Sequence, residues 1–130
     1  MRSVSSAAEN LDSVHLRRDA RPIDLVHLAK QCLGDEHLEY EILRLFDATI
    51  VAYHERVAHA PGPEDLALAL HSMRSAATGV GAWTIVDLAA TAEADMREGR
   101  SLQAEQLADI AMAVEEVRGF IADMLSNEPL

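Results

Sequence analysis

The sequence predicts an all-α domain, an antiparallel up-down four-helix bundle with a short extra helix on its N-terminal side. Three observations carry this. Hydrophobic residues make up 49% of the 130 positions but aromatics only 4%, so the core is built from Leu, Ala, Val, Ile and Met. Such residues suit packed helices, because Ala and straight-chain side chains lose little entropy there. Only four prolines and six glycines interrupt the chain. Between those breaks, apolar residues recur at helical spacing.

Residues 1–21 read as a separate leader, polar, rich in Ser and Ala, and ending in the charged run Arg17-Arg18-Asp19. A short helix over 6–16 and an unordered segment both suit its composition. The domain proper spans 22–127. Pro22-Ile23-Asp24 opens a short helix with Leu25, Leu28, Ala29 and Cys32 at helical spacing, and Gly34 stops it. Asp35 caps a long second helix over 36–59, with Glu36 and Glu39 at the positive end of its dipole. Its predicted apolar stripe is Leu38, Ile42, Leu45, Phe46, Thr49, Ala52 and Tyr53. Ala60-Pro61-Gly62-Pro63 is the clearest break. A third helix covers 64–78, Gly79 and Gly81 mark the next turn, and a fourth covers 83–98. Gly99 ends that helix, Ser101 caps the last one, and this runs to about 125. Short connections between long amphipathic helices make sequential neighbours antiparallel.

The formal charge is −11, from 22 acids against 11 bases. Nucleic-acid binding needs a basic face to displace phosphate counterions, and an anionic membrane surface needs one too. Both are disfavoured; a protein partner fits better. The lone Cys32 has no disulfide partner in the chain, and no apolar run reaches signal-peptide or membrane-span length. A cytoplasmic location is the expectation. His54-Glu55-Arg56-Val57-Ala58-His59 carries its histidines five apart instead of four, about 140° around a helix, so a shared metal ion is not expected. His15, His27 and His37 have no ligand spacing and are expected at the surface, Cys32 in the core, and Trp83 packed at the turn before the fourth helix.

The third helix carries the chemistry. Leu66, Ala69, Leu70, Met73, Ala76, Ala77 and Val80 form its apolar stripe. His71 lies about 160° from Met73, on the far side. One turn either way stand Ala67 and Ser75, both small, so a bulky partner has room to reach the imidazole.

The string His71-Ser72-Met73-Arg74-Ser75-Ala76-Ala77-Thr78-Gly79-Val80-Gly81-Ala82 resembles the signature of the histidine phosphotransfer (HPt) family. In that signature a histidine is followed by a hydrophobe at the second position, a base at the third, a small residue (usually Gly) at the fourth, and Gly-Ala at the tenth and eleventh. Met73, Arg74 and Gly81-Ala82 match; Ser75 replaces the usual Gly and places a hydroxymethyl beside the ring. Ile85 and Leu88 continue the pattern, and Ile23-Asp24-Leu25, Gly34-Asp35 and Leu45-Phe46 resemble the family's opening, so the likeness covers 22–99.

The resemblance implies that Nε2 of His71 carries a phosphoryl group between aspartates of response-regulator receiver domains, fed by a hybrid histidine kinase. It implies a monomer with no cofactor of its own, Mg2+ belonging to the receiver. An unperturbed histidine, with a pKa of about 6.5, is a competent nucleophile near neutral pH. If the chain reverses around Ala82, antiparallel pairing sets Glu93 opposite His71, where a carboxylate would hold the Nδ1 proton. A solvated helix-face Glu is the alternative. Arg74, one turn from His71, reaches a phosphoryl oxygen or simply solubilises the surface. Ala67, Leu68 and Thr78 are candidates for partner docking, although Leu68 also suits packing against the second helix. Self-phosphorylation is not expected, since no glycine-rich phosphate loop is present. Two competing readings remain. One is a degenerate histidine-kinase dimerisation helix, which Ser72 and Ala76 argue against because an acid and a proline are usual there. The other is a helical adaptor in which His71 is incidental.

Overall fold

The computed structural model describes residues 21–129. Among these it is all-helical, with five α-helices: α1 Leu25–Gln31, α2 Glu36–Ala58, α3 Pro63–Val80, α4 Trp83–Arg97 and α5 Ala104–Ser126. The predicted leader, apart from Arg21, and the helix considered over 6–16 lie outside the described residues, as does His15. No helix among the described residues is long and apolar enough to cross a membrane.

Local chemistry sets most helix ends. Asp35 Oδ1 accepts from Leu38 N at 3.1 Å and starts α2. α1 begins three residues later than its proline suggests, because Asp24 is its cap and accepts from His27 N at 3.1 Å. Ile23 is then free to bury completely, and Asp24 N donates to Gly81 O at 3.0 Å, tying the chain to the turn between α3 and α4. That turn belongs to Gly81 alone. It takes φ +76°, and Ala82 N donates back to Ala77 O at 2.9 Å. Gly79, expected in the turn, lies inside α3, since nothing there demands a positive φ. The predicted Ser101 cap is also displaced. Gln103 caps α5 through a reciprocal box in which Gln103 N donates to Gln106 Oε1 at 2.9 Å, a pairing Ser101 is two residues too early to make.

α2 packs against α3 and α5, and α4 packs against the same two, while α1 lies across α2 and α3. Arg118 on Asp47 and Arg44 on Glu128 show α2 and α5 running in opposite directions. The space between holds Leu43, Ile50, Leu70, Met73, Ile85, Ile110, Val114, Val117 and Ile121, all buried. Complete burial of each larger side chain contributes about 1.5–3 kcal/mol before entropy is counted.

The core face of α2 is rotated from the predicted stripe. Leu43, Phe46, Ile50 and Val57 are buried, whereas Leu38 and Leu45 are 41% and 63% exposed. α2 has apolar residues on two faces, and α3 with α5 cover only one. The second lines an open groove of about 380 Å3 with Leu28 of α1, Cys32 at its C-terminal cap, and Ala76, Gly79 and Val80 of α3. Leu38, Leu45 and Thr49 form its α2 wall with Ile42 and Phe46, which also touch the core, and this explains why Leu38 and Leu45 keep helical spacing while exposed.

Candidate functional site

α3 opens with Pro63 at its first position, with Glu64 and Asp65 in the first turn, where acids oppose the helix dipole's positive end. Ala69, Leu70, Met73, Ala77 and Val80 fasten it to the core. This rigid seating fixes what the opposite face presents. The His71 side chain is 59% exposed on that face. Ala67, Leu68 and Ser75 around it are exposed, Leu68 at 66%, and so it does not pack under α2.

The turn at Gly81 lays α4 back along α3, so residues equally distant from Ala82 meet. His71 Nδ1 stands 3.5 Å from Glu93 Oε2, long for a hydrogen bond. Glu93 is no solvated helix-face acid, as its side chain is only 10% exposed. Arg74 holds it in place. The Arg74 Nε donates to Glu93 Oε1, and Nη2 donates to Oε2 at 3.3 Å. The same Nη2 lies 3.2 Å from His71 Nδ1. Arg74 therefore spans both partners, a contact that neither sequence reading, a base reaching a phosphoryl oxygen or a solubilising surface base, included; the largely buried carboxylate one helix away attracts it.

Burial alone pushes the Glu93 carboxyl up, but its hydrogen bond to and charge attraction by Arg74, and then the same two interactions with His71, outweigh this and hold it below the ordinary carboxylate range. Arg74 is pushed up in turn by its bond to Glu93. Glu93 is thus an ionised, acceptor-only group beside the imidazole.

Thr78, a predicted docking residue, is exposed, but its hydroxyl donates to Arg74 O at 2.8 Å along its own helix. Its carbonyl accepts from His27 Nε2 at 2.9 Å. His27 is accordingly half-buried, not the free surface residue expected, and meets Trp83 edge-on at 4.9 Å between ring centres. Trp83 Nε1 donates to Asp24 Oδ2 at 2.9 Å, so Asp24, His27 and Trp83 brace the C-terminal end of α3 below the site. That brace was not legible beforehand, because Asp24 and His27 lie more than 50 positions from their partners Trp83 and Thr78. The groove wall of α2 was also missed; its regular apolar spacing was the available signal, and it read as core. Cys32 is buried, as expected of a small hydrophobe.

Among the described residues no group of His, Cys, Asp or Glu is placed to hold a metal ion. Comparison with protein-family models, curated proteins and solved structures gives no match to this chain.

Proposed function

We propose that this chain is a histidine phosphotransfer protein that receives a phosphoryl group on His71 Nε2 from the aspartate of one receiver domain and passes it to another. In this reading α2 to α5 form the antiparallel up-down four-helix bundle and α1 is the short extra helix. The protein is a cytoplasmic, monomeric carrier without kinase activity, supplied by a hybrid histidine kinase. One observation supports this above the rest: an exposed imidazole on a firmly seated helix whose inner nitrogen lies between a largely buried carboxylate and a guanidinium.

The chemistry follows from those groups. The Nε2 lone pair forms a bond to phosphorus while the acyl-phosphate oxygen leaves with its electron pair as the receiver's carboxylate. Positive charge develops on the ring, and ionised Glu93 offsets it by holding the Nδ1 proton. Arg74 is one helical turn from His71 and reaches the phosphoryl oxygens. The receiver would supply the Mg2+ that screens the transferring charge. Ala67 and Ser75 leave space around the ring, and exposed Leu68 supplies apolar contact for docking.

The test mixes the protein with phosphorylated receiver domains and follows label into an acid-labile, base-stable form. Wild type should take up label, and His71→Gln should not. Uptake by His71→Gln at the normal rate would place the phosphoacceptor elsewhere. If no receiver transfers label to wild type, the adaptor reading takes over.

A further inference from the structure

Glu93 and Arg74 make opposite demands on His71 Nδ1. A guanidinium has only donors, so the 3.2 Å approach of Arg74 Nη2 requires Nδ1 to accept. A neutral imidazole carries one N–H, and an accepting Nδ1 puts that hydrogen on Nε2. An Nε2 that bears hydrogen has no lone pair in the ring plane for phosphorus. Glu93 demands the reverse, because a carboxylate can only accept and would draw the hydrogen to Nδ1. Its Oε2 stands 3.5 Å from Nδ1 and already takes Arg74 Nη2 at 3.3 Å, so the arginine has the better contact with the ring.

We propose that Arg74 holds resting His71 in the Nε2–H tautomer, which cannot attack, and that an incoming phosphoryl anion releases it by drawing the guanidinium off Nδ1. The proposal rests on the phosphotransfer reading and adds its regulation. Once Arg74 turns to the anion, Glu93 is, among the described residues, the charged group left against the ring. Nε2 then gives its proton to water and Nδ1 takes one from water, a route open because the imidazole is exposed. Nδ1–H donates to Glu93, and the Nε2 lone pair becomes available as the phosphodonor arrives. Arg74 is thereby a positioning residue, acting through the tautomer as well as on the phosphoryl oxygens.

Other groups around the ring do not make this choice. On α3, Ser72 and Ser75 are neutral neighbours, and Glu64 lies almost two turns away. On α4, Arg97 shares with Glu64, Ala67, Glu93 and Met96 a shallow groove beyond the imidazole. Among the described residues, the ring's ionic and hydrogen-bond contacts are those with Arg74 and Glu93.

Imidazole 15N spectra of the full-length protein, taken at about pH 8.5 where histidine is neutral, report which nitrogen bears hydrogen. Wild type should show Nδ1 bare and Nε2 protonated. Arg74→Met, which keeps the stem and removes the donors, should move the ratio about fivefold or more towards Nδ1–H, the scale of one lost charge-assisted hydrogen bond. Arg74→Lys should restore the wild-type preference. Titrating wild type with inorganic phosphate, against chloride at equal ionic strength, should produce the same shift and needs no variant to fold. A wild-type ring already in the Nδ1–H form, or no change on phosphate addition, would overturn the proposal. These spectra require no phosphotransfer, so label transfer with the wrong tautomer sinks this inference alone. The right tautomer with no transfer from any receiver sinks the functional reading instead.

Discussion

Replacing Gly81 by Ala strikes the point where three parts of the molecule meet. Gly81 takes φ +76°, a left-handed conformation that costs an L-residue about 1–2 kcal/mol. The added Cβ would lie 2.8 Å from Asp24 Cβ and 3.2 Å from both Asp24 O and His27 Cδ2, closer to the first than real carbon contacts allow. Asp24 must move, and its side chain puts at least two hydrogen bonds at risk. It caps α1 through His27 N, a contribution of about 1 kcal/mol, and it accepts from Trp83 Nε1, a hydrogen bond contributing about 1 kcal/mol. The sum is a loss of about 3–4 kcal/mol, or about 12–16 °C in melting temperature for a domain near 100 residues. Gly79→Ala is the internal control. It sits inside α3, a Cβ there meets nothing within 4 Å, and Ala in a helix interior gains about 0.5–1 kcal/mol over Gly. Urea unfolding followed by helical circular dichroism reads both variants from their midpoints at constant slope. Equal destabilisation by the two substitutions would return both glycines to the turn and refute the placement of the α3 terminus. A loss under about 1 kcal/mol for Gly81→Ala would refute the close approach of Asp24.

Two other expectations test the core and the site. Leu43→Ala should cost about 2–5 kcal/mol because it empties a fully buried position, while Leu45→Ser should stay within about 0.5 kcal/mol of wild type. The opposite order in urea unfolding would put the wrong face of α2 in the core. Glu93, held below its ordinary 4.5 in the folded protein, gives stability that is complete above that value and is lost as pH falls from there through its folded pKa. Melting temperature followed from about pH 6 down to about pH 3 should therefore fall more steeply for wild type than for Glu93→Gln. Parallel curves would mean that the Arg74–Glu93 pair contributes nothing to folding.

The site divides into a part written in local sequence and a part that needed the fold. His71 opposite Met73, with Ala67 and Ser75 one turn away, follows from helical periodicity and from the residues themselves. The pairing of His71 with Glu93 follows from one more premise, that the chain reverses at Ala82. Periodicity is silent on how three charged groups share their contacts. Arg74 bridging Glu93 and Nδ1 is settled by side-chain reach between two helices and by the partial burial of the carboxylate.

The amino-acid order alone determined that the described residues are helical, where Asp35 starts α2, and that His71 stands opposite the core stripe of α3. Capping, glycine placement and the spacing of apolar residues act within a few positions of one another, so they can be read from the string. Which apolar face of α2 is buried was decided only in three dimensions. Leu43 and Leu45 are equally hydrophobic, and only the positions of α3, α5 and α1 determine which of them loses its water.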